Sequence, residues 1–171
     1  MSDETDDVTK TPPHSVGCEK SVLSSILQEP QIYMKAAMDE NLEQSDFYLP
    51  NNSTLFFIIK QLFDDGEEIE LVSLGQKLLD NGLMTKVGGP SMLSDVYGYS
   101  PSPAHFQNHL QLVKDKAVLR QIIRNSHNAI TAAYESPDEV KELIEKVDEQ
   151  LSKVKQKTES RASDYRRYRK Q

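Results

Sequence analysis

Two histidines, His105 and His109 in "HFQNH", stand one helical turn apart, the spacing at which a helix offers a pair of zinc ligands. A zinc-dependent hydrolase of this type places glutamate directly after the first histidine as general base, and Phe106 occupies that position. No third group of Cys or His completes a ligand set, so the pair reads as an ordinary helix surface. "VGGPSM" offers the glycine-rich start of a phosphate cradle. Such a loop needs lysine and a hydroxyl residue at the following helix start, and Pro90 and Ser91 follow instead. Gly88 and Gly89 are therefore expected to form a turn, with Pro90 as a first helical residue. Cys18 has His14 nearby but lacks the remaining partners of a thiol nucleophile, and it reads as a small core residue. No serine lies in a nucleophile-elbow glycine pattern, and Asp64, Asp65, Glu67 and Glu68 flank Gly66 as solvated turn charges. These residues predict no catalysis, no metal and no cofactor.

The remaining chemistry lies in charge. From Arg161 onward, five basic residues face a single acid, Asp164, so this segment is +4 in a chain of formal net charge −7. An acidic body excludes broad phosphate binding, which depends on Lys and Arg, and leaves only the tail for it. There Arg161, Arg166, Arg167, Arg169 and Lys170 could pair with phosphates while Tyr165 and Tyr168 stack on unpaired bases. The competing reading is a solvated, disordered terminus. The single Cys18 makes no internal disulfide, the first residues are acidic and unlike a secretory signal, and no apolar run suits a membrane span. A cytoplasmic protein is expected.

At 171 residues and 37% hydrophobic content the chain can bury one core of ordinary size. Apolar residues recur at intervals of three and four, and alternating runs are missing, so the fold class is all-α. The first helix starts near Ser15 and carries Cys18, Val22, Leu23, Ile26 and Leu27 on one face, with Glu19 suited to the dipole of its first turns. Pro30 separates it from a short segment, Ile32 to Met38. Leu55, Phe56, Ile58, Ile59, Leu62 and Phe63 crowd a helix that Gly66 stops, and this is the expected centre of the core. Leu74, Leu78 and Leu79 mark another, ended by Asn81 and Gly82.

The longest periodic stretch runs from Ala104 to about Tyr134, about 45 Å of helix. Leu112, Leu119, Ile122, Ile123, Ile130 and Ala133 form its apolar stripe. Beyond Pro137 a second helix keeps a heptad seam of Val140, Ile144, Val147, Leu151 and Val154. The short connection "ESPDE" predicts an antiparallel hairpin. The expected organisation is a disordered acidic arm (1–13), a compact multi-helix head (14–103), a long antiparallel hairpin continuous with it (104–156) and a basic tail or linker (157–171). A long hairpin on a small body leaves apolar residues for a partner, unless the monomer consumes them.

The ordered set "PPHSVGCEKSVLSSIL", "DFYLPNNSTLFFIIKQLFDDGEEIELVSLGQKLLDNGLMTKVGG" and "SPSPAHFQNHLQLVKDKAVLRQIIRNSHNAI" resembles the N-terminal domain of the DnaB family of replicative DNA helicases. The resemblance runs from about Pro12 to Val154. It implies a helical head followed by a hairpin through which copies pair into a collar, and a surface for primase or a helicase loader. By the same resemblance, the stripe at Leu112, Leu119, Ile122, Ile123 and Ile130, with the seam at Val140, Ile144, Val147 and Leu151, would be the self-association element. Two departures stand out: the acidic stretch of the first helix is reduced to Gly17-Cys18-Glu19, and Asn52 replaces a common His. The family's ATPase motor would begin soon after a linker at about residue 160, so no unwinding is expected of this polypeptide alone. The resemblance admits a second use, a stand-alone phage or mobile-element protein that binds a host replicative helicase as loader or inhibitor. A third reading is single-stranded nucleic-acid binding through the basic tail.

Overall fold

The computed structural model describes residues 10–100, 102–135 and 140–168, with side chains described as far as residue 156. Among the described residues eight α-helices follow one another: α1 (Val16–Gln28), α2 (Pro30–Asp39), α3 (Pro50–Asp64), α4 (Leu71–Asp80), α5 (Met84–Val87), α6 (Pro90–Tyr97), α7 (Phe106–Glu135) and α8 (Val140–Tyr168). Short 3-10 turns occur at Gln44–Asp46 and Pro103–His105, and no strand occurs among the described residues.

Local chemistry fixes the boundaries. Pro30, Pro50 and Pro90 each open a helix, where the missing N–H costs nothing. Glu70 and Ser73 cap α4 reciprocally, each side chain taking the other's backbone N–H. Gly88 and Gly89 adopt φ of 103° and 83°. At Gly89, ψ is 179°, a conformation open essentially to glycine alone. This turn separates α5 from α6 and leaves Pro90 as the first residue of the latter, in agreement with the expectation for "VGGP".

The core is assembled from one stripe of each helix. Val22, Leu23, Ile26 and Leu27 of α1 and Leu55, Phe56, Ile58, Ile59 and Leu62 of α3 are buried, with Leu74 and Leu78 of α4 beside them. Phe47 packs on Phe56 with ring centroids 5.0 Å apart. Cys18 is half-buried against this cluster. Two expected core positions turn outward: Phe63 is 37% exposed and Leu79 is 58% exposed. Each follows a buried leucine by one residue, and one residue of helix rotates the side chain by about 100°. The core therefore keeps Leu62 and Leu78 and releases their neighbours.

The head does not end before α7. Phe106, Leu110 and Val113 of that helix are buried in the same core, and Phe106 meets Tyr33 of α2 at 4.7 Å between centroids. The 3-10 turn at Pro103–His105 puts Ala104 ahead of the helix proper. The "ESPDE" connection, with Pro137, lies largely outside the described residues. Helix α8 packs back on α7 and runs without a break at residue 156 as far as Tyr168.

Candidate interaction surface

Three charged side chains tie the head together and set the direction of α7. Glu19 is buried on α1 at an apolar-stripe position. Its carboxylate accepts from the backbone N–H of Tyr48 (2.7 Å) and Leu49 (3.3 Å) and from Asn52 Nδ2 (2.9 Å). It thus binds the start of α3 rather than serving only its own helix dipole. Asn52 meets Glu19 directly, and its Oδ1 is buried with no hydrogen-bond partner.

On α7, Lys114 is fully buried, donates to the backbone carbonyl of Glu40 and lies 3.5 Å from the Glu40 carboxylate. Arg120, one and a half turns further, donates to the carbonyls of Pro13 (2.8 Å) and Asp46 (2.6 Å). Its guanidinium also sits 5.7 Å from the Tyr48 ring, which stacks on His14 at 4.2 Å. Burial lowers the Arg120 pKa from its ordinary value; the charges of Glu19 and Asp46 oppose that shift and Arg124 adds to it. The hydrogen bonds of Lys114 and Arg120 join residues 74 to 107 positions apart, so periodicity could not pair them. What the sequence did offer was register: Lys114 lies four residues after Leu110, on the buried face.

From Leu112 onward α7 carries apolar side chains that the head does not cover. Leu112, Leu119, Ile122, Ile123 and Ile130 are exposed, as are Val140, Ile144 and Leu151 of α8, from 37% at Ile122 to 62% at Ile144. The heptad seam divides. Val147 and Val154 are half-buried with Leu143 and Gln150, spaced four, three and four residues apart, while Val140, Ile144 and Leu151 lie on the exposed side. The hairpin therefore retains an apolar stripe that its own two helices do not cover. Tyr134, near the end of α7, is 86% exposed.

Between the 3-10 turn of Gln44–Asp46 and the two hairpin helices lies a cleft of about 430 Å³. Asp46, Arg120, Arg124, Asn125 and Lys153 are among the residues that line it. His105 and His109 lie elsewhere, their rings 6.0 Å apart, with His109 Nδ1 2.8 Å from Ser21 Oγ. Among the described residues no group of three or more His, Cys, Asp or Glu is placed to hold a metal, and no helix is long and apolar enough to cross a membrane. Of the tail residues, Arg161, Tyr165, Arg166, Arg167 and Tyr168 belong to α8 with side chains outside the description, and Arg169 and Lys170 lie outside the described residues altogether.

A family model described as the DnaB-like helicase N terminal domain matches residues 11–115. The chain belongs to this family. The match covers the head and closes one residue after Lys114, where α7 leaves the core. Among curated relatives, the replicative DNA helicase DnaC of Bacillus subtilis and the replicative DNA helicase DnaB of Geobacillus stearothermophilus are each 28% identical over 153 residues. These alignments take in 90% of this chain and 33% of either relative, so the chain spans about a third of the curated relatives it matches. The crystal structure of the N-terminal domain of DnaB helicase from Mycobacterium tuberculosis superposes with a TM-score of 0.77 at 23% identity, over 84% of this chain and 99% of that one. A solved DnaB-like replicative helicase, described with its interactions with primase, gives a TM-score of 0.66 at 20% identity, over 82% of this chain and 30% of that one. At those identities the superpositions establish the fold, the helical one expected from the sequence.

Proposed function

We propose that this DnaB-like N-terminal domain serves DNA replication as a collar, pairing with further copies through its hairpin and offering its assembled surface to primase or a helicase loader. The supporting observation is the stripe of Leu112, Leu119, Ile122, Ile123 and Ile130, exposed together with Val140, Ile144 and Leu151 on the adjoining helix. Contiguous apolar surface of this kind on a small body gains free energy by being covered. Half-buried Val147 lies at its edge and belongs to the same element. The domain contributes packing and no ATP hydrolysis, acts in the cytoplasm, and touches DNA at most weakly through its basic end.

Light scattering after size exclusion tests this on the intact protein, alone and mixed with primase or full-length replicative helicase from the same cell. A dimer or larger species that dissociates on dilution is the expected result. A folded monomer at every concentration would refute self-association. Co-elution of such a monomer with the helicase ring would replace the collar by a loader or inhibitor.

A further inference from the structure

The cleft beneath the hairpin plays no part in the collar reading, and its lining is chemically specific. Arg120 and Arg124 stand one turn apart on α7, and Lys153 approaches from α8. Four amides, Gln121, Asn125, Asn128 and Gln150, line the same space. The nearby acids are already engaged: Asp46 Oδ2 accepts from the Glu43 N–H at 2.9 Å, and Glu149 pairs with Lys153 at 2.7 Å on an exposed surface, an interaction of small worth. Arg120 already gives both terminal nitrogens to the Pro13 and Asp46 carbonyls, so Arg124 supplies the guanidinium fork for a carboxylate, and side-chain amides can donate to and accept from a peptide backbone. Among the described residues no aromatic ring lines the cleft, which gives it no stacking platform of the kind a single-strand binder uses. An acidic peptide fits this chemistry better than a nucleic acid does.

We propose that the cleft binds an acidic peptide and that its occupant is the chain's own segment 1–9, docked in cis. That segment carries Asp3, Glu4, Asp6 and Asp7 and no basic residue. It is tethered at the right place, because Arg120 of the cleft holds the Pro13 carbonyl at 2.8 Å. Nine extended residues reach about 30 Å, well beyond the width of two packed helices. A tethered ligand meets its site at an effective concentration in the millimolar range, so exposed charge pairs that are weak singly suffice together. The docked segment would link the head to α7 and α8 and exclude acidic peptides from other proteins.

The test is a paramagnetic label on the full chain, at Thr5→Cys in a Cys18→Ser background, with the backbone amides of Gln121, Arg124, Gln150 and Lys153 as reporters. Docking predicts strong broadening of all four at low salt, and its loss in Arg124→Glu or in molar salt, where the Debye length falls to about 3 Å. Lys153→Glu provides a second variant, and unchanged circular dichroism shows that either one folds. Unbroadened cleft amides would overturn the proposal, as would broadening that survives both charge reversals. Mixing isotope-labelled, untagged chain with tagged, unlabelled chain separates cis from trans: docking in cis leaves the cleft amides of the mixture sharp, and broadening there would assign the segment to a second copy and overturn docking in cis.

Discussion

Lys114→Met isolates what a buried charge does at the point where the hairpin leaves the head. Lys114 is fully buried, and Glu40, at the end of α2, is 6% exposed. Methionine keeps most of the stem volume and removes the ammonium, so the packing of α7 survives while the Glu40 carbonyl and carboxylate lose their cationic partner. Breaking a buried pair from one side costs about 3–5 kcal/mol. At this chain length each kcal/mol lowers Tm by about 2–4 °C, which places the expected drop at about 6–20 °C. Adding Glu40→Gln should recover much of the loss, because the amide leaves no unpaired charge and can still meet Gln107, whose Nε2 lies 3.3 Å from Glu40 Oε1. Urea unfolding followed by circular dichroism measures all four members of the cycle. A loss below about 1 kcal/mol for Lys114→Met would show that the pair bears little load. A double variant as unstable as the sum of the singles would refute the coupling.

Ile123→Asp combined with Val147→Asp should give a folded monomer by light scattering; global unfolding would place these residues in the monomer's own core. Phe56→Ala removes a fully buried ring at the centre of the head and should cost about 3–5 kcal/mol in chemical unfolding. A change below about 1 kcal/mol would misplace the core. Gly89→Ala should cost about 1–3 kcal/mol through the backbone alone, because a Cβ there meets no atom within 4 Å and the strain lies in φ and ψ. Stability unchanged from the parent would show that this turn relaxes freely.

What the sequence disclosed follows from the range over which each signal acts. Helix faces are local, so the stripes of α1 and α3 and the turn at Gly88-Gly89-Pro90 were legible from spacing alone. Single positions at an element's margin were less so: Leu79 shares the composition of its stripe but lies one residue past the buried Leu78. Glu19, Lys114 and Arg120 were illegible for another reason. Each is a charge whose partners are distant in sequence, and composition alone assigns such residues to solvent. Their presence in apolar register was the available signal. The exposed stripe shows the converse: periodicity marked Ile123 and Ile144 as apolar-face residues, whereas whether the monomer or a partner covers that face depends on how α8 sets its register on α7.

Because Phe106, Leu110, Val113 and Lys114 anchor one end of α7 in the core and Arg120 ties the next turns to the Pro13 and Asp46 carbonyls, the rest of the α7–α8 hairpin is a cantilever. From Arg120 to Glu135 the arm is about 22 Å long, so a tilt of about 10° at the root would carry its tip about 4 Å. A small repacking at the head would thus be magnified into a displacement of most of a helical turn at Tyr134, enough to bring two neighbouring arms into or out of register.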